Sequence, residues 1–334
     1  MSQVMVLGAG GWGIALALVA TRMSHTVTLW SHDPAELEEL RLHNQNKTRL
    51  PGVFLPHGIE LTGQMETAAT ADMIVMAVPS FAIRTTARRL RGHIRPGTIV
   101  VNAGKGLEDG TLLRFSQVLE QELPQARIAV LSGPSHAEEV ARRVPTTVTV
   151  SATDMAVAER VRDTFNQPHF RIYLNTDLMG VELGGALKNV IALCAGIVDG
   201  LGLGDNTKAA LVTRGLAEIA RLGKAMGAHK STFAGLSGIG DLIVTCGSMH
   251  SRNLRAGTLI GRGESVATTI RRVGTVEGYL AAGAAWRLAQ QYGVSMPIVE
   301  QCYYVCYEGK DPRRAVSDLI ERPSGSENEP LWME

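Results

Sequence analysis

MSQVMVLGAGGWGIALALVATRM, residues 1–23, carries no charged side chain before Arg22. Two readings compete for it: a membrane-directed segment, or a strand and turn that cradle a phosphate. A secretory leader sets a cation ahead of its apolar run, but Ser2 and Gln3 stand there. A membrane span needs about 20 uninterrupted apolar residues, and Gly8, Gly10, Gly11, Trp12 and Gly13 break this run early. The stretch therefore reads as a short buried strand, QVMVL, followed by a turn into a helix, GGWGIALALVA. GAGGWG, 8–13, fits G-x-G-x-x-G in the position where that pattern has a mechanism. Gly8 permits the tight turn, Gly10 lets a pyrophosphate approach the backbone, and Gly13 lets helix and sheet pack closely. The free N–H groups of the helix start then face the phosphate charge. The alternative is a glycine turn that serves packing alone.

Outward from this turn, short β-rich runs alternate with helical stretches. Strands are expected at 3–7, 26–30, 73–78, 98–102, 127–131, 146–150 and 170–174, with helices near 12–23, 34–45, 81–91, 111–122, 135–142 and 154–165. Several strands are continuously apolar, as strands covered on both faces are. The alternation predicts an α/β fold: an N-terminal Rossmann-type, doubly wound, mostly parallel sheet over 1–176. From 178 to 320 no strand is apparent and helical periodicity dominates, as in 206–227. A C-terminal all-helical domain is expected over 177–322, entered by a helix starting near Asp177, with a loose tail over 323–334. The longest later apolar run, Asn189–Val198, is too short to span a membrane, so no membrane insertion is expected.

Composition narrows the class. The 334 residues are 45% hydrophobic and 19% charged, with net charge +1. That supports a packed core and gives no bulk attraction to nucleic acid or a lipid surface. An anionic substrate would have to be met by local cations. The basic run RRLRGHIRPG, 88–97, lacks interleaved aromatics and reads as a solvated helix face. Cys194, Cys246, Cys302 and Cys306 form no CxxC pair and read as small apolar packing in a reducing cytoplasm. No metal site is expected.

The second strand ends in Trp30-Ser31-His32-Asp33. An acid here bonds the ribose 2′-OH of NAD, whereas a cation accepts the 2′-phosphate of NADP. Asp33 favours NAD, yet Asp33-Pro34 is also an ordinary helix start, and Ser31 with His32 suits a phosphate. NAD and NADP both stand.

Candidate chemistry lies in four stretches. In VELGGALKNVIALCAGIV, 181–198, Lys188 is the only charged residue between Glu182 and Asp199. Burial among aliphatic neighbours lowers a lysine pKa and makes a usable general acid/base. Gly184 and Gly185 would leave room for a ligand beside it; the alternative is a lysine that snorkels to water. In GLSGIGDLIVTCGSMHSRN, 235–253, Asp241 and Thr245 lie one turn apart, and Asp241 suits a partner for a cationic lysine. Ser251 reads as an N-cap with Arg252 and Asn253 in the first turn, either a phosphate clamp or an ordinary cap. NAGKGLE, 102–108, and SGPSHAEEV, 132–140, follow strands at the ligand edge of the sheet, so Lys105 and Ser135 are substrate candidates.

GAGGWG, NAGKGLE, LSGPSHAEEV, VELGGALKNV and GDLIVTC followed by HSRN occur in that order. Together they resemble the glycerol-3-phosphate dehydrogenase family, most closely its bacterial NAD(P)-dependent branch, over roughly 1–320. The resemblance implies a Rossmann domain joined to a helical substrate domain, and interconversion of sn-glycerol 3-phosphate and dihydroxyacetone phosphate, feeding phospholipid synthesis in the cytoplasm. It implies that Lys188 is the proton donor/acceptor. It also implies that Lys105, Gly133, Ser135, Asp241, Ser251, Arg252 and Asn253 contact substrate. Gly11, Trp12, His32, Lys105, Ala137, Arg252 and Glu277 fall at its cofactor positions. A homodimer is expected from the family and from the apolar content of the helical domain. Two departures stand out: glycine at position 11, where the family commonly has serine or threonine, and His32 where arginine is frequent. The rival readings are another two-domain reductase for hydroxyacids or ketopantoate, which would clamp a carboxylate, and a nicotinamide-binding regulator without turnover.

Overall fold

The computed structural model describes residues 1–323; the tail expected over 323–334 lies, from residue 324, outside the described residues. Two compact units emerge, one of 1–104 with 113–178, the other of 105–112 with 179 onward.

The first unit runs β1 (Gln3–Leu7), α1 (Gly11–Arg22), β2 (Thr26–Trp30), α2 (Pro34–His43), β3 (Ile59–Thr62), β4 (Met73–Met76), α3 (Ile83–Leu90), β5 (Ile99–Asn102), α4 (Phe115–Glu122), β6 (Arg127–Ser132), α5 (Ala137–Ala141), β7 (Thr146–Ala152), α6 (Met155–Phe165) and β8 (Phe170–Asn175). The strands form one sheet in the order β3-β2-β1-β4-β5-β6-β7-β8. Every pairing is parallel except β6 with β7. The order reverses between β1 and β4, which opens the crevice at their carboxyl ends where such sheets take ligands.

Side-chain alternation along β1 explains its unbroken apolar run. Val4 and Val6 pack with Ile14, Val161 and Phe165 on one face. Met5 and Leu7 pack with Ile83, Leu90 and Phe115 on the other. Each fully buried aliphatic side chain of this kind contributes roughly 1.5–3 kcal/mol. One strand was not expected. β3, IELT, is an edge strand of four residues whose Glu60 is exposed. Too short and too polar to stand out, it takes its conformation from pairing with β2.

The second unit comprises α7 (Leu178–Leu201), α8 (Gly204–Ala225), α9 (Lys230–Phe233), α10 (Asp241–Gly247), α11 (Arg252–Gly261), α12 (Val266–Val273), α13 (Glu277–Gln291), α14 (Pro297–Tyr307) and α15 (Pro312–Ile320). A π-helical turn, Leu236–Gly240, leads directly into α10. No strand occurs among its described residues. α7 corrects the reading of 189–198 as a short run: it has 24 residues and an 18-residue window of mean hydropathy 1.6. Length and composition alone would let it cross a membrane, but that window is buried completely inside the protein. The run looked short because Gly184, Gly185 and Lys188 punctuate the sequence without interrupting the helix.

α7 and α11 meet along glycines. A Cβ on Gly196 would lie 2.1 Å from the Leu254 carbonyl oxygen, and one on Gly257 would lie 2.0 Å from that of Leu193. Gly200 and Gly261, one turn further along, are equally tight against Thr258 and Ile197. The two backbones therefore touch, and this fixes where α11 begins relative to Lys188.

The Lys105–Leu112 segment also departs from expectation. The sequence predicts a loop of the first domain over 102–108 and the start of a helix over 111–122, but that helix begins at Phe115 and the segment packs with the helical unit: Leu107 is buried in that unit's core and Leu112 lies against it.

Candidate active site

In the first unit the glycine turn joins β1 to α1. Gly8 has φ +112°, and a Cβ there would lie 2.6 Å from the Ala77 carbonyl oxygen, so only glycine fits. Gly13 lets α1 descend onto the turn, since its Cβ would meet the Gly8 oxygen at 1.9 Å. Gly10 differs: a Cβ there meets nothing within 4 Å, and as N-cap of α1 it offers no side-chain acceptor to the helix N–H groups. An open approach to uncapped donors is what a pyrophosphate requires, so the turn fits a dinucleotide. At position 11 a Cβ would sit 2.9 Å from the Arg49 carbonyl oxygen and 3.6 Å from the Ala137 Cβ. This chain's glycine there follows from that crowding, and it brings Gly11 and Ala137 side by side.

Trp12 donates its indole N–H to the Ala103 carbonyl at 3.1 Å, which ties the start of α1 to the end of β5. Ser31 is buried, and its hydroxyl donates to Glu36 at 2.5 Å while accepting from the Asp33 N–H. His32 is exposed at the end of β2, its ring tilted against Trp30 with 6.3 Å between centroids. Asp33 caps α2 by accepting from Ala35, so it is an ordinary helix start. Two residues that the motif reading passed over complete the turn. Asn46, buried, donates to the Ala9 carbonyl at 3.1 Å and to Glu36 at 2.9 Å. The chain Ser31–Glu36–Asn46–Ala9 thus braces the glycine turn against the end of β2. The polar run 44–49 offers no pattern that would single Asn46 out. At the end of β6, Gly133 has φ +126°, and Ser135 donates to its carbonyl at 2.9 Å.

In the helical unit Lys188 is 6% exposed and does not reach solvent. Its ammonium donates to Asp241 Oδ1, and to the Thr245 hydroxyl at 2.6 Å. Lys105 donates to Asp241 Oδ2 at 2.6 Å, so one carboxylate holds two lysines. Thr245 passes its own proton to the Asp241 carbonyl one turn back, at 2.5 Å, which leaves its lone pairs for Lys188. Burial lowers Lys188 to about 8 against the pull of Asp241, and the positive charge of Lys105 adds to the lowering. Burial would raise the Asp241 carboxyl, but Lys105 and Lys188 outweigh it and hold Asp241 below its ordinary value.

The room expected beside Lys188 at Gly184 is occupied. A Cβ there would lie 2.6 Å from the Ser237 carbonyl oxygen, so this glycine admits the π-helical turn that delivers Asp241. Ser251 caps α11 by accepting from Leu254 at 3.2 Å. Arg252, next in line, is exposed at the helix start. Asn253 is buried: it donates to Asn189 Oδ1 at 2.9 Å and accepts from the Gly278 N–H at 2.8 Å. That amide links the residue after Lys188, the start of α11, and the start of α13, where Glu277 is the first residue. All four cysteines are free and buried. Glu218, a second buried carboxyl of this unit, is raised to about 7 by burial. It accepts from the N–H groups of Ile298 and Val299 at the start of α14, a structural cap.

Comparison with known proteins agrees with this arrangement. Residues 3–158 match the family model for the NAD-dependent glycerol-3-phosphate dehydrogenase N-terminus, and 177–317 match the model for its C-terminus. A glycerol-3-phosphate dehydrogenase [NAD(P)+] of Moorella thermoacetica is 54% identical over 329 residues, 98% of each chain. One from Desulfitobacterium hafniense is 52% identical over 323 residues, 96% of this chain and 92% of that one. The crystal structure of the Coxiella burnetii glycerol-3-phosphate dehydrogenase superimposes with a TM-score of 0.93 at 36% identity, covering 96% of this chain and 99% of that one. A glycine turn with uncapped donors, a mostly parallel sheet and a buried lysine that shares one carboxylate with a half-buried second lysine accompany these matches, and the chain belongs to the NAD-dependent glycerol-3-phosphate dehydrogenase family.

Proposed function

We propose that this chain is an NAD(P)-dependent sn-glycerol-3-phosphate dehydrogenase in which Lys188 exchanges the proton. The observation that carries the reading is the buried Lys188 ammonium, held by Asp241 and Thr245 and lowered to about 8. When bound, the dinucleotide supplies the hydride for carbon 2 of dihydroxyacetone phosphate. As charge grows on the carbonyl oxygen, Lys188 donates a hydrogen bond and then the proton. Asp241 keeps the ammonium oriented and offsets its desolvation. Lys105, on the other oxygen of the same carboxylate, adds positive charge beside the reacting oxygen. Arg252, with the N–H groups at the start of α11, meets the phosphate. Ser251 and Asn253 hold that helix start, and Ser251 still has a hydroxyl proton to give. Gly133 and Ser135 complete the substrate contacts. Gly8, Gly10, Gly11, Trp12, Gly13, Ser31, His32, Ala137 and Glu277 shape the dinucleotide site, with Lys105 and Arg252 shared between the two ligands. In this reading the first unit binds cofactor, the helical unit binds substrate, and the protein works as a cytoplasmic homodimer supplying phospholipid synthesis.

The test is pH. Reduction needs the ammonium, so its kcat/KM should hold level below about 8 and fall above it. Oxidation needs the free amine and should rise through the same pH. Lys188→Ala should cost at least about 10²-fold in turnover and abolish that limb. A folded Lys188→Ala enzyme with near wild-type rates would refute the assignment.

A further inference from the structure

Lys105 reaches Asp241 from the end of a short strap, residues 105–112, that packs with the helical unit. Gly106, next to the lysine, has φ +153°, a conformation that side chains rarely adopt. The strap is a turn closed on itself: the Leu112 N–H donates to the Glu108 carbonyl at 3.0 Å, and Thr111 donates to the Glu108 carboxylate at 2.6 Å. Leu107 seats it in the core. At its tip Asp109 accepts from Arg287 Nη2 at 2.5 Å. Arg287 is itself aimed by donating from Nε to the Gly283 carbonyl, one turn back on α13, at 3.2 Å. Both side chains are substantially exposed, Asp109 at 79% and Arg287 at 39%, so neither supports the core. We infer that the Asp109–Arg287 ion pair is a clasp that fixes the strap on α13 and so positions Lys105 on Asp241. The inference rests on the proposed roles of Lys105 and Lys188.

A clasp of this kind makes electrostatic predictions that a merely stabilising surface pair does not. If the strap loosens, the charge of Lys105 withdraws from Lys188 and leaves Asp241 to it alone. Both changes favour the ammonium, so the pH limb of reduction must move upward. Substrate binding must weaken as well. Exposed ion pairs are modest, so a rise of about two- to five-fold in KM for dihydroxyacetone phosphate is expected.

The experiment compares wild type with Asp109→Ala, Arg287→Ala and the charge-exchanged double variant Asp109→Arg/Arg287→Asp. It reads kcat, KM and the pH limb, together with amide hydrogen exchange over 106–111. The single variants should raise KM, shift the limb upward and speed exchange, with melting temperature unchanged. The exchanged pair should recover all three; if it does not fold, Arg287→Lys takes its place and should stay near wild type. Unchanged KM and limb in both single variants would overturn the clasp. So would faster exchange without a shifted limb, or a defect that neither rescue variant repairs. Exchange reads the strap without catalysis, so failure of the proposed lysine chemistry would show in Lys188→Ala and leave the exchange result standing.

Discussion

Glycine does opposite work in the two units. At Gly10 it clears space: nothing lies within 4 Å of where a Cβ would stand, and the donors of α1 are left open. Along α7 and α11 it removes space: Gly196, Gly200, Gly257 and Gly261 each bring a carbonyl oxygen within 2.4 Å of where a Cβ would stand. The first kind of glycine leaves an approach open and the second admits a backbone. The same letter in a sequence therefore says little until its neighbour is known. Around Lys188 this difference decided the outcome, because Gly184 looked like the first kind and is the second.

The contrast is open to direct attack by making one substitution in both places. Gly257→Ala should show the largest effect. Its methyl group collides with a helix backbone that cannot rotate away, and overpacking of this kind costs about 2–3 kcal/mol. Thermal unfolding should show Tm lower by about 5 °C or more; a wild-type Tm would mean that the helices can part without penalty. Gly10→Ala should leave Tm nearly unchanged, because its methyl enters open space. It should nonetheless weaken dinucleotide binding roughly tenfold, the loss of about one hydrogen bond to a charged group, read by calorimetric titration. Tight binding in that variant would deny the turn its role. The smallest effect belongs to His32→Ala. An exposed ring at the end of β2 can shift the ratio of NADPH to NADH rates by less than about tenfold. If initial rates with both cofactors keep their ratio, His32 takes no part in choosing between them.

What the sequence revealed and what it hid divide along the same line. The glycine turn was readable because its strand, turn and helix are contiguous. Seven of the strands were readable, several because burial on both faces leaves unbroken apolar runs, as in β1 and β4, and others, such as β2 and β8, because β-branched and aromatic residues recur in them. Ser251 was readable as a cap because capping is local, and Asp241 with Thr245 because one helical turn sets them on the same face. Contacts distant along the chain were not readable. Nothing near 46 announces that Asn46 holds the Ala9 carbonyl. Nothing in NAGKGLE reveals that Lys105 packs with helices that begin more than 70 residues later. β3 escaped because pairing, not composition, makes it a strand.

The excursion of residues 105–112 into the helical unit means that neither half is a continuous piece of chain. A fragment cut at residue 178 would carry the excursion along and strand Leu107 in water with no helices to receive it. A fragment starting at 179 would leave Asp241 with a single cation instead of two. The halves are therefore poor cassettes for recombination: exchanging one cleanly requires moving eight residues from the middle of the other as well.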